Sequence, residues 1–181
     1  IKTASYDASE GFGLRAVNGE VAGYAHSTEI SETALKRASE TARLAVGSGG
    51  GTLAAAPLRT NIKLYGDADP MADATFAAKI DVLKEIDAYA RALDPRVVQG
   101  SATISAGLQE VEILRPEGLR YADVRPMARM NVSVIIEDKG RREQGGMGGG
   151  GRHGLAGLLA PSNWQPLLKE ALRIALVNLD A

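Results

Sequence analysis

The chain has 181 residues, 45% hydrophobic and 24% charged, which suits one sizeable globular domain or two small ones. Its 21 basic and 22 acidic side chains give a net charge of -1, which excludes a global electrostatic pull toward nucleic acid or anionic membrane. With no cysteine there is no disulfide framework, no thiolate nucleophile and no Cys-based zinc site, and no apolar run approaches a membrane span.

Ile1-Lys2-Thr3 offers neither an initiator Met nor the apolar core of a secretory signal. Residues 170–181 read as a helix without a Gly cap, a Pro or a polar tail. Both features predict a piece of a longer polypeptide.

The first organised unit covers residues 10–26. Two short β-like runs, Gly11 onward and Val21 onward, flank Asn18-Gly19-Glu20, and Asn-Gly between such runs predicts a hairpin with a type I′ turn. Ser31 is placed to cap a helix over residues 31–46, whose apolar stripe is Ala34, Leu35, Ala38, Ala42, Ala45 and Val46. Gly47-Ser48-Gly49-Gly50-Gly51 ends it, and residues 52–67 are expected to be irregular or briefly extended.

Asp69-Pro70 predicts the start of a second helix, an N-cap followed by proline at the first helical position. Its face is Phe76, Ile80, Leu83, Asp87, Ala90 and Leu93, and Asp94-Pro95 ends it because the residue before proline disfavours the α region. Beyond Arg96 the period becomes two: Val98, Gly100, Ala102, Ile104, Ala106 and Leu108 on one face, Gln99, Ser101, Thr103, Ser105 and Gln109 on the other. Strands over residues 111–115, 119–123 and 131–137, with turns at Pro116-Glu117-Gly118 and Asp138-Lys139-Gly140, complete an antiparallel meander. The glycine-rich stretch 145–151 then reads as a hinge or loop, and Asn163 as the cap of a last helix carrying Trp164, Leu167, Leu168, Ala171, Ile174 and Ala175.

Chemistry-bearing motifs are few. His26 and His153 do not share the His-Glu-x-x-His spacing that sets two metal ligands on one helix face. The glycine run lacks the Lys-Ser/Thr of a phosphate loop, and no Gly-x-Ser-x-Gly elbow presents a nucleophile. Glu110 and Glu112 read as solvated or edge-protecting charge. Arg125, Arg129, Lys139, Arg141, Arg142 and Arg152 make the meander locally basic, but Glu137, Asp138 and Glu143 interleave with them, and aromatic residues at 4% are too few for stacking platforms. The sequence therefore shows no catalytic residue and no metal site of its own.

Three segments carry a resemblance. Lys79-Ile80-Asp81-Val82-Leu83-Lys84-Glu85-Ile86-Asp87-Ala88-Tyr89-Ala90-Arg91 with Asp94-Pro95-Arg96-Val97-Val98-Gln99 is similar to the helix-to-strand segment of the TldD/PmbA family. So is Asp123-Val124-Arg125-Pro126-Met127-Ala128-Arg129-Met130-Asn131-Val132-Ser133-Val134, with Arg141-Arg142-Glu143 and the glycines ending at Arg152. The hairpin Gly13-Leu14-Arg15-Ala16-Val17-Asn18-Gly19-Glu20 resembles that family as well, on its TldD branch. The resemblance implies a zinc metallopeptidase, also known as a modulator of DNA gyrase, that processes unfolded peptides and precursor peptides, and the absence of cysteine makes a reducing cytoplasm the expected compartment. Its zinc helix lies in a carboxy-terminal domain that this chain would lack, so the chain itself would hold no cofactor and no catalytic residue.

The expected fold is α+β, an antiparallel β-meander sheet of about five or six strands with two main helices, residues 31–46 and 72–93, on one face and a C-terminal linking helix. Residues 1–144 would form the amino-terminal domain, 145–162 a glycine-rich linker, and 163–181 the helix leading to the missing domain. The expected role is substrate handling: an exposed sheet edge near residues 131–137 or 98–108 pairs with an extended peptide, and the glycine loop covers it. Asn131, Ser133, Gly148, Gly149, Arg152 and His153 are the candidate peptide contacts. Expected partners are the carboxy-terminal domain, a PmbA-type subunit or a second copy, and unfolded peptide, without membrane. A purely structural interface module is the alternative, and a gyrase or DNA partner ranks behind both.

Overall fold

The computed structural model describes residues 2–47 and 65–181. The expectations for Ser48-Gly49-Gly50-Gly51 and for most of residues 52–67 lie outside them. The chain divides into two compact units, Ile1–Asn61 and Ile62–Ala181. The architecture is α+β with antiparallel sheets throughout.

In the first unit, β1 (Phe12–Asn18) and β2 (Val21–Ser27) form the expected hairpin. The register pairs Asn18 with Val21, so the turn residues are Gly19 and Glu20, and only Gly19 has a positive φ, 60°. That is the type II′ pattern, with glycine first, in place of the expected type I′. Helix α1 (Glu32–Val46) starts where Ser31 Oγ accepts from the Ala34 amide at 3.1 Å and ends at Gly47, φ 70°. Ala34, Ala38 and Ala42, one helical turn apart, are its buried stripe.

In the second unit, α2 (Phe76–Leu93) begins later than expected. Thr75 Oγ1, not Asp69, caps it by accepting from the Ala78 amide at 3.2 Å. Asp69 instead holds a separate turn, its carboxylate accepting from Met71 N at 2.8 Å. The helix ends at Asp94, before Pro95, as the sequence indicates.

Three strands follow: β3 (Val97–Leu114), β4 (Arg120–Asp138) and β5 (Arg141–Gly151), in that order across one antiparallel meander. Segments 119–123 and 131–137, expected as separate strands, are two ends of the single strand β4. Pro126 does not interrupt it, because β5 stops with Gly151 opposite Ala128 and β4 has only β3 beside it at Pro126. A proline has no N–H for a second neighbour. The glycine stretch is likewise no linker: Gly145 to Gly151 pair residue by residue with Val134 to Ala128. Lys139 (φ 50°) and Gly140 (φ 82°) make the two-residue turn between β4 and β5.

Every second residue of β4 from Pro126 to Ile136 is buried. They meet α2 and the C-terminal helix α4 (Pro161–Asp180), which follows the short α3 (Ala156–Leu159). Residues 31–46 and the α2 segment, expected on one sheet, thus belong to different units, and α4 takes the second place beside α2. Trp164 is buried between them, edge-on to Tyr89 with centroids 5.5 Å apart, and donates Nε1–H to Leu159 O at 3.2 Å. The helix starts with Pro161 at N1, not with a cap at Asn163, whose amide bonds Gly157 O within α3.

Candidate functional site: the open face of the sheet

With one face of the meander under α2 and α4, the alternation of β-structure leaves the opposite face for the odd-numbered residues of β4. Met127, Arg129 and Asn131 are exposed there and Ser133 is half-buried. Register adds the residues opposite: Ser101 with Ser133 and Gly146, Thr103 with Asn131 and Gly148, Ser105 with Arg129 and Gly150. The result is a face of hydroxyls, an amide and a guanidinium, flanked on β5 by residues without side chains. Arg129 Nε donates to Asn131 Oδ1 at 3.0 Å, beside Gly148, where a methyl group would press on both side chains.

Beyond the end of β5 the same face carries a shallow, open pocket of about 390 Å³, lined by Gly107, Leu108, Gln109, Arg125, Met127 and Arg152. Arg125 donates Nε–H to Asp123 Oδ2 at 2.6 Å, and Arg152 Nη2 stands 3.8 Å from that same oxygen. The guanidinium of Arg152 lies 4.5 Å from the ring centroid of Tyr65.

Of the six expected contact residues, Asn131, Ser133 and Gly148 come together on the open face, while Arg152 lines the separate pocket beyond the end of β5. Gly149 does not: it faces the helix side, where a methyl group would meet Leu167 at 3.5 Å. His153 is exposed and its Nδ1 bonds Gly154 O at 2.8 Å. Two further expectations fail. The cover loop does not exist as such, since its glycines are strand β5, and residues 131–137 lie on the central strand and have no free edge. Tyr65 and Gln109 also contribute, and no local pattern in the sequence marks either.

Among the described residues no three His, Asp or Glu side chains gather to hold an ion. His26 stacks on Tyr24 instead, with ring centroids 5.9 Å apart. No described helix is long and apolar enough to cross a membrane. Much of the local basic charge is internally matched, Arg142 Nε to Glu137 at 2.6 Å and Arg141 to Glu143 at 3.4 Å.

Comparison with known proteins places this geometry in a family. The model of the PmbA/TldA metallopeptidase central domain matches residues 69–179, and that of domain 1 matches residues 1–46. The chain belongs to the PmbA/TldD metallopeptidase family. It is similar to the metalloprotease TldD homologues of Haemophilus influenzae, 36% identical, and of Buchnera aphidicola from Schizaphis graminum, 32% identical. In each case all of this chain but 39% of the relative is covered, so the chain spans about two fifths of these relatives' length. The crystal structure of a candidate modulator of DNA gyrase from Bacteroides thetaiotaomicron superposes with a TM-score of 0.67 over 93% of this chain and 40% of that one, at 18% identity. That likeness establishes the shared fold. The central-domain match takes in α2, the whole β3-β4-β5 sheet and nearly all of α4.

Proposed function

We propose that this chain is the substrate-handling region of a TldD-type metallopeptidase, binding an extended, unfolded peptide along β3 and the adjoining open face. The observation that carries this reading is the state of the β3 edge. Among the described residues β3 has one sheet neighbour, β4, and residues 97–109 contain neither a charge nor a proline. Sheet edges are ordinarily blunted by such residues, because a bare row of N–H and C=O groups recruits another strand. Arg91 of α2 donates to Val98 O at 3.3 Å, so the open stretch of β3 begins at Gln99, and on the other edge of the sheet Asn178 of α4 donates to Gln144 O at 3.2 Å. Backbone pairing is indifferent to sequence, which suits unfolded substrates.

In this reading the zinc and the catalytic residues are supplied from outside the described residues, by a carboxy-terminal domain, and the absence of cysteine fits a cytoplasmic setting. Hydrogen exchange tests the binding surface. Adding an unstructured peptide is expected to protect amides of residues 99–109, and protection that spares β3 would defeat the proposal.

A second reading, an interface with a PmbA-type subunit or another copy, is favoured by a different feature. The β3-β4 ribbon runs past the end of β5, and near its tip Ile113 and Leu114 are 53% and 71% exposed. As neighbours on a strand they expose apolar side chains on opposite faces of the arm, which a partner enclosing its end would cover. Leu114→Asp is expected to weaken association in sedimentation, and an unchanged assembly state would remove this reading.

A further inference from the structure

Arg152 is held in place but under-coordinated. A guanidinium has five N–H donors. Among the described residues its one charged partner is the Asp123 carboxylate at 3.8 Å, outside hydrogen-bond range, and its Nε is shielded from solvent with no acceptor. Tyr65 beneath the guanidinium fixes its plane without accepting a hydrogen bond from it in the ring plane. Arg125, on the same pocket, shares Asp123. Two guanidiniums therefore face one carboxylate, and the pocket they line, with the Gln109 amide beside them, has a surplus positive charge and about 390 Å³ of space.

We propose that this pocket binds the C-terminal carboxylate of the peptide. The inference rests on the peptide-binding reading above and sharpens it. Planar guanidiniums match a carboxylate through paired N–H donors, and a second anion would supply what Asp123 leaves unmet. Position selects the terminal carboxylate. Gly107, Leu108 and Gln109 are the last residues of the uncharged stretch of β3, so a peptide lying along that edge reaches the pocket with one of its ends. A carboxylate at that end requires the peptide to run parallel to β3, from the Val97 end toward Gln109.

Calorimetry on the 181-residue chain tests this with three acetyl-capped peptides of uncharged residues: the free acid, its C-terminal amide, and the amide with glutamate as its last residue. The free acid is expected to bind about tenfold more tightly than the amide, the increment of a charge-assisted hydrogen bond. Arg152→Gln is expected to erase that difference while amide binding persists, and Arg173→Gln, the same loss of charge on α4, to leave it intact. Equal affinity for acid and amide would overturn the carboxylate pocket while leaving peptide binding standing. A glutamate amide as tight as the free acid would overturn the terminal assignment in favour of a side-chain carboxylate. Binding of none of the three would overturn the peptide-binding reading and the pocket with it. The acid–amide comparison needs no variant, so a misfolded Arg152→Gln does not obscure the result.

Discussion

Gly145 of β5 lies directly beneath Ala171 of α4, so close that a methyl group on the glycine would overlap the Ala171 carbonyl oxygen and press on the Ala175 amide nitrogen at 2.7 Å. Ala171 and Ala175 are themselves fully buried, which makes this contact the closest approach of helix to sheet that small residues allow.

Two neighbouring glycines should therefore respond in opposite ways. Gly145→Ala is expected to cost about 3 kcal/mol, since the obstructing atoms are backbone and cannot swing aside. Gly146→Ala points to the open face, where the nearest atom is 3.5 Å away, and is expected to change stability by less than about 0.5 kcal/mol. Denaturant midpoints of the two variants decide it. Equal, small effects would mean that the stretch is the loop its composition predicts and not a strand under α4.

That glycine run also shows where the sequence stops being legible. The hairpin, the Ser31 cap, the stop at Asp94-Pro95 and the alternation from Gln99 onward are local signals, written in residues within a few positions of the feature they determine; at the start of β3 a bulge buries Val97 and exposes Val98, against the expected face. A glycine strand has no side chains to alternate, so only its partner β4 reveals it. The continuity of β4 through Pro126 is hidden for the same reason: it depends on where β5 ends, a fact about another segment. Of the site, Asn131 and Ser133 were legible as one strand face, but the central position of that strand was not. The stacking of Tyr65 on Arg152 joins residues far apart in the chain, and no local pattern records it.

Asp94 offers a pH test. Both its oxygens accept from the Arg96 guanidinium, at 3.0 and 2.8 Å, and this hydrogen bonding holds its carboxyl below the ordinary value of 3.8. A depressed folded value means that the pair's contribution is complete above about the ordinary carboxylate value and is lost as pH falls through the lowered one. With Arg96 partly exposed, solvent screens the pair and keeps its contribution small. Urea unfolding of wild type and Asp94→Asn is expected to show a small gap at pH 6 and its disappearance as the solution becomes more acidic than the folded value. A gap that stays constant into that acidic range would rule out the ion pair as its source.

The helix starts separate two proposed caps from one another. Ser31 accepts from the Ala34 amide at the start of α1, so Ser31→Ala is expected to cost about 1 kcal/mol. Asn163 sits inside α4, behind Pro161, and bonds Gly157 O while remaining exposed. Asn163→Ala should therefore cost less than about 0.5 kcal/mol, as surface changes do. Thermal melts of both variants rank them, and a larger loss at Asn163 would return the cap of α4 to that residue.

Trp164 ties the two helices that cover the sheet. Its ring is buried, meets Tyr89 of α2 edge-on, and spends its one donor on Leu159 O. Trp164→Ala removes a large aromatic from a packed core and leaves a cavity with two walls, and is expected to cost about 3–5 kcal/mol. Trp164→Phe keeps a ring against Tyr89 but loses the donor and some volume, and should cost less. The same order should appear in Tyr89→Leu backgrounds with a smaller Trp164→Ala effect, because the edge-to-face term, about 0.5–1.5 kcal/mol, is then already gone. Full additivity of the two substitutions would show that Trp164 and Tyr89 contribute independently, with no direct ring-to-ring energy between α2 and α4.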